Sequence, residues 1–312
     1  MNRKRILASL FPLIAMLGAS ACSPDSASTS STSVTVAQTD TPDSSTEAPT
    51  GPLTFAFPPG TDDPNAILQV EKIAQLIRSV TGREVRTENP ADYMAVVEAV
   101  RSGFVDVALM SQFSVALAIE TDALSPLIVW EAEQLPASLC LVRSDSSIQT
   151  MEDLRGKQIA FVDPGSTTGH FMPRSLLTQS GLEYQVDYQA TFAGGHDTAI
   201  LAMMNKSVDM ACTARQLVPI FQEAGLFAEG DIRVVGESDP IPVGISIVVR
   251  NDLDQATRDL LAETLPSALM AQEDLLPLFG GSTEYIVNPD SSVYAPLLKV
   301  ARDVGLDLDD LR

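Results

Sequence analysis

Two periodicities alternate along the chain from Leu53 to Arg250. Short apolar runs bounded by turn residues predict strands at "LTFAF" (53–57), "VDVALM" (105–110), "PLIVW" (126–130), "LCLVR" (139–143), "QIAFV" (158–162), "QATFA" (189–193), "VDMAC" (208–212), "IRVVG" (232–236) and "ISIVVR" (245–250). Between them, apolar residues recur at helical spacing. Ile67, Val70, Ile73, Ala74 and Ile77 predict a helix over Pro64 to Val80, closed by Gly82, and a second helix is expected from Ala91 to Arg101. The stretches 256–270 and 293–306 are also amphipathic and predict C-terminal helices returning to the first lobe, ahead of an acidic tip. Helices alternating with short continuous apolar strands imply an α/β fold with parallel-type sheets covered on both faces.

One unit is used twice. "NPADYMAVVEAVRSGFVDVALMS" (89–111) and "GGHDTAILAMMNKSVDMACTA" (194–214) share a helix start, an apolar helix and a Val-Asp-x-Ala strand. The repeat implies two similar Rossmann-like lobes, and the crevice outside the carboxyl ends of their strands is where such sheets bind ligands.

The first 52 residues lack this pattern. Arg3, Lys4 and Arg5 precede an apolar run, Ile6 to Gly18, and then "ASAC", which is the pattern of an export leader over residues 1–21. The run is too short for a comfortable membrane span. "GASAC" resembles a lipobox, with Cys22 as the lipid-bearing residue, although Ala19 stands where leucine is commonest; cleavage after Ala21 alone is the alternative. The Ser, Thr and Pro-rich segment 22–52 reads as a flexible tether.

Charge and cysteine content narrow the function. The 312 residues carry 20 Lys and Arg against 41 Asp and Glu, and three of the cations belong to the leader, so nucleic acid and anionic membrane are excluded as partners of the folded part. Cys140 and Cys212, each in an apolar strand, are expected as buried inert thiols. No spacing of His170, His196 and the cysteines suggests a metal, and no cofactor is expected.

"DPGSTTGHF" (163–171) directly follows a predicted strand. If a helix starts at Thr168, free amides, the positive helix end and the Ser166, Thr167 and Thr168 hydroxyls could bind an oxyanion without any lysine or arginine. Such residues also serve as ordinary helix caps. In "AGGHDTA", Gly194 and Gly195 permit close backbone approach, and the His196 ring could donate to the same anion. Arg215, just beyond "VDMACTA", could enter the cleft and add a charge-assisted bond, with a surface salt bridge as the commoner role. No phosphate-loop lysine and no Gly-x-Ser-x-Gly elbow occur, so an enzyme is not expected.

These segments carry a resemblance. "DPGSTTGHFMP" looks like the Asp-Pro-x-Ser-Thr-Ser-Gly-aromatic motif of the phosphonate and phosphite binding proteins of ABC importers. "FAGGHDTAILAMMNKSVDMA", "ADYMAVVEAVRSGFVDVALMS" and "IPVGISIVVRNDL" are similar to further parts of that family. The resemblance implies a type II periplasmic-binding-protein fold with lobe 1 at 53–138, lobe 2 at 139–243 and a return at 244–312. It implies that Ser166, Thr167, Thr168 and His196, with the Thr168 and Gly169 amides, hold phosphorus-bound oxygens.

Departures from the family shape the expected ligand. Met110 and Ser111 stand where many relatives have tyrosine, His170 replaces an aromatic residue, and no acid lies near Gly244. The expectation is a small anion (phosphite, methylphosphonate, hypophosphite or phosphate), bound by a monomeric, lipid-anchored extracytoplasmic receptor that hands it to an importer permease. The alternative is an oxyanion sensor working with a membrane histidine kinase, in which Cys212 leaves an opening for arsenite.

Overall fold

The structure, a computed structural model, describes residues 51–57, 64–131, 135–279 and 284–305. The expected leader, Cys22, nearly all of the tether and the acidic C-terminal tip lie outside these residues. These described residues belong to one compact unit.

Two sheets share one plan. The chain runs through β1 (Leu53–Ala56), α1 (Pro64–Thr81), β2 (Val85–Glu88), α2 (Tyr93–Arg101), β3 (Val107–Met110), α3 (Gln112–Ile119) and β4 (Leu124–Glu131). It then crosses to β5 (Ser138–Arg143), β6 (Gln158–Phe161), α4 (Met172–Gln179), β7 (Gln189–Phe192), α5 (His196–Met204), β8 (Met210–Ala214), α6 (Leu217–Glu223) and β9 (Ile232–Glu237). It returns through β10 (Ser246–Arg250), α7 (Gln255–Met270), β11 (Glu284–Val287) and α8 (Ala295–Asp303).

The strand orders are β2-β1-β3-β10-β4-β11 and β7-β6-β8-β5-β9. Position for position, β1 corresponds to β6, β3 to β8 and β10 to β5. The repeated helix-strand segments are α2–β3 and α5–β8, which occupy equivalent places.

The sheets are mixed rather than parallel throughout. β1 pairs in parallel with β2 and β3, and β6 with β7 and β8, but β10 and β5 run antiparallel to both of their neighbours. A parallel neighbour requires a crossover connection. β5 and β10 enter directly from the inter-sheet crossings and run the other way.

Apolar faces set the packing. Ile73 and Ile77 of α1 are fully buried in a cluster with Leu261, Leu265 and Leu269 of α7, each worth about 1.5 to 3 kcal/mol on transfer from water. Asp92 caps α2 by accepting from the Ala95 amide at 2.6 Å, and Val96, Val97 and Val100 face inward. The sequence pattern gives no hint of α3, because Gln112 to Ala118 are buried on every side and helical periodicity vanishes. It also misses β2 and β11, edge strands with few buried positions.

The cysteines correct the expectation of free thiols. Cys140 and Cys212 form a disulfide. They are direct cross-strand partners of β5 and β8, fully buried in the core of the second sheet. Their separation of 72 residues carries no information about this pairing, which depends on the antiparallel entry of β5. Cys212 therefore offers no thiolate to a thiophilic ligand. Removing the bridge by a paired Cys140→Ala and Cys212→Ala change is expected to cost about 2 to 4 kcal/mol in urea denaturation, with the native fold retained.

Candidate functional site

The parallel strands of the second sheet deliver three segments to one end. β6 leads into residues 162–166 and a π-helical turn, Thr167–Phe171, that runs into α4. β7 leads through Gly194 and Gly195 to His196 at the start of α5. The third strand, β8, ends on Thr213 and Ala214.

The loop after β6 is tied from within. The Asp163 carboxylate accepts from the Gly165 amide (2.8 Å), and the Ser166 hydroxyl oxygen caps the turn by accepting from the Gly169 amide (3.1 Å). The Ser166 carbonyl accepts from the His170 and Phe171 amides, and Val162 donates to the Gly169 carbonyl. A Cβ at Gly169 would lie 2.2 Å from a methyl of Val162, so the turn needs glycine there. From the crossing strand, the Ser138 hydroxyl donates to the Thr168 carbonyl oxygen at 2.6 Å.

The same loop seats on the first sheet. The Ser111 and Ser114 hydroxyls each lie 3.0 Å from the Gly165 carbonyl oxygen. The Thr167 hydroxyl oxygen accepts from the Phe113 amide at 2.8 Å, and Phe113 stacks on Phe171 with ring centroids 3.7 Å apart. A Cβ at Gly165 would come within 2.9 Å of the Tyr93 Cβ, so the seam is closed tightly.

The predicted residues thus fall into distinct groups. Ser111 and Thr167 meet across the seam; Met110 is buried there and, with Ser111, Tyr93, Val96, Leu109 and Ser114, lines a small pocket. Ser166 and the Gly169 amide are engaged with each other. The Thr168 hydroxyl has no hydrogen-bond partner among the described residues, and no hydrogen bond joins His196 to the loop. His196 instead meets the hydroxyl of Thr213, with 2.9 Å between Nδ1 and Oγ1.

His170 backs the loop rather than entering the cleft. Its Nδ1 lies 2.9 Å from the Pro164 carbonyl oxygen, and its ring meets Phe161 and Phe192 edge-on. Arg215 pairs with Glu237, the commoner of its two expected roles. Ser138, Thr213, Ser114, Tyr93 and the Phe113 amide were not singled out in the sequence. Only Ser114 leaves a local trace, standing three residues after a serine that caps α3.

The electrostatics are those of neutral donors. Burial pushes both His170 and His196 down to about 4, so both rings are uncharged near neutral pH. Burial, then the neighbouring Asp92 charge, raises the Asp163 carboxyl, while the Gly165 amide opposes that shift. Tyr93 is raised by burial first and by Asp163 second. Such a site can bind a bare oxyanion through oriented N–H and O–H groups, without bringing a cation out of water.

The sequence profile described as "ABC transporter, phosphonate, periplasmic substrate-binding protein" matches residues 55–290. The chain belongs to this family. Among curated phosphonate-family relatives, it is 29% identical over 203 residues to the phosphate-import protein PhnD of Mycolicibacterium smegmatis, covering 61% of this chain and 63% of that one. It is 26% identical over 175 residues to the phosphonates-binding periplasmic protein of Escherichia coli, covering 54% and 52%. These alignments span less than two thirds of either relative. Among solved structures, PhnD1 from Prochlorococcus marinus in complex with methylphosphonate superposes with a TM-score of 0.71 at 17% identity, over 82% of this chain and 99% of that one. Its likeness establishes the type II periplasmic-binding-protein fold.

Buried His170 makes stability pH-dependent in a defined direction. His170 is lowered in the fold from an ordinary 6.5 to about 4, so the unfolded chain takes up its proton first. Its contribution is complete above pH 6.5 and is lost as pH falls from 6.5 towards 4. At 1.36 kcal/mol per unit this amounts to about 3 kcal/mol at most. Chemical denaturation between pH 7.5 and 4 should show a shallower loss for His170→Phe than for the parent.

Proposed function

We propose that this protein is the extracytoplasmic substrate-binding lipoprotein of an ABC importer and binds a small phosphorus oxyanion between two closing lobes. Phosphite, methylphosphonate, hypophosphite and phosphate are the candidate ligands. The observation that carries this reading is the uncharged donor cluster at the carboxyl ends of the second sheet's parallel strands. The Ser166–Gly169 turn ends β6 there, and His196 follows β7. Two curated relatives named for phosphate import and phosphonate binding, and a fold relative solved with methylphosphonate, support the ligand class.

Small size is read from the sequence: Met110 and Ser111 stand where many relatives have tyrosine, and the segment around Gly244 carries no acid where aminophosphonate binders have one. Two chain crossings, between β4 and β5 and between β9 and β10, suit hinge closure. We divide the chain accordingly into lobe 1 (53–138 with 244–312) and lobe 2 (139–243), carried behind a leader (1–21), Cys22 as lipid anchor and a tether to residue 52. The disulfide suits an oxidising compartment outside the cytoplasm. Among the described residues, no helix is long and apolar enough to cross a membrane. The protein acts as a monomer whose closed form meets the permease, and it binds its ligand without turning it over.

Titration calorimetry with phosphite, methylphosphonate, hypophosphite, phosphate, 2-aminoethylphosphonate and arsenite tests the proposal. Saturable binding of at least one of the first four is expected, with aminoethylphosphonate weak and arsenite silent. Ser166→Ala combined with Thr167→Val should abolish binding while circular dichroism stays unchanged. Silence of the parent protein towards every phosphorus ligand would overturn the reading.

A further inference from the structure

Thr213 bears on the chemistry of the site although no hydrogen bond joins its side chain to the loop residues. It is fully buried on β8, opposite Leu139 on β5, and its chain neighbours Cys212 and Ala214 pair with Cys140 and Ser138. The disulfide joins the first of these pairs. The Thr213 side chain is therefore fixed from both sides.

Its hydroxyl has one hydrogen-bond partner among the described residues, the Nδ1 of His196 at 2.9 Å. A buried hydroxyl donates its hydrogen wherever an acceptor exists, and a neutral imidazole has one nitrogen that donates and one that accepts. With Nδ1 as the acceptor within reach, the His196 proton resides on Nε2. That N–H has no acceptor on the protein among the described residues.

The other histidine shows the opposite arrangement. Nδ1 of His170 faces the Pro164 carbonyl oxygen, which can only accept. His170 is accordingly protonated on Nδ1, and its Nε2 is buried without a partner. The two rings share an uncharged state but hold their protons on different nitrogens, each set by the group at Nδ1.

We propose that Thr213 is a specificity-determining positioning residue: by donating to Nδ1 it fixes His196 as an Nε2–H donor, so that this position selects a ligand oxygen carrying no hydrogen. The inference rests on the reading that His196 faces the oxyanion. A P–OH group turned to this nitrogen would set hydrogen against hydrogen. The preferred species is one that presents a bare oxygen there, and affinity rises with pH as the ligand loses its last proton. His196 remains neutral through that range and adds no opposing titration.

Thr213→Val, which keeps the shape and removes the hydroxyl, and Thr213→Ser, which retains it, test the role. Nitrogen-15 NMR of the imidazoles should show His196 of the parent protonated on Nε2, a mixture of tautomers in Thr213→Val, and the parental state in Thr213→Ser. In calorimetry with methylphosphonate, Thr213→Val should bind about tenfold more weakly at high pH, with a flatter dependence on pH, and Thr213→Ser should recover most of the loss. An Nδ1-protonated His196 in the parent, or a Thr213→Val protein with parental affinity and pH profile, overturns the proposal. The NMR arm needs no ligand. A parent that binds no phosphorus oxyanion, yet loses its Nε2–H tautomer in Thr213→Val, overturns the ligand reading and leaves the tautomer control supported.

Discussion

Ser138 opens β5 at the point where the chain crosses between sheets, and its hydroxyl donates to the Thr168 carbonyl in the turn after β6. Two residues on, Cys140 is bonded to Cys212, and the next residue along β8 is Thr213. One antiparallel pairing, β5 on β8, therefore fixes the loop through Ser138 and the histidine through Thr213. If β5 slipped by one residue along β8, Ser138 would turn to the other face and the disulfide could not form. The loop has a second anchorage on the first sheet, through Ser111, Ser114 and the Phe113 amide, whereas His196 has Thr213 as its side-chain partner among the described residues.

The second governing fact is electrostatic. In a chain with net charge -21, no lysine or arginine among the described residues makes a hydrogen bond to the Ser166–Gly169 turn or to His196. Oriented hydroxyls and amides serve instead, and burial keeps both histidines uncharged. Neutral donors lose less on desolvation than a cation would, and each has a fixed direction. Where the seam is closed, the protein's own oxygens at Gly165 and Thr167 face the donors of α3. The closed arrangement thus satisfies α3 with protein oxygens at the seam.

Much of this was legible from the residues alone. Nine strands stood out because each is a short apolar run between turn residues, and the paired Val-Asp-x-Ala segments disclosed the duplication. The "DPGSTTG" turn was conspicuous because glycines and hydroxyl residues directly follow a strand. What escaped was nonlocal or had no pattern. β2 and β11 are edge strands with little to bury, and α3 is apolar all round. The disulfide, the serines that meet Gly165 and the partner of His196 depend on which strand lies beside which. A single strand's composition does not reveal its neighbour, and the antiparallel insertion of β5 and β10 could not be inferred from the alternation of elements.

That insertion also orders the assembly of the chain in time. All five strands of the second sheet come from one continuous stretch, Ser138 to Glu237, so it can close as soon as that stretch is available. The first sheet cannot: β10 lies between β3 and β4, and it follows the whole of the other sheet in sequence. Until it arrives, the inner edges of β3 and β4 have no partner. The cost of bringing such distant segments together falls on the amino-terminal half, which is made first and completed last.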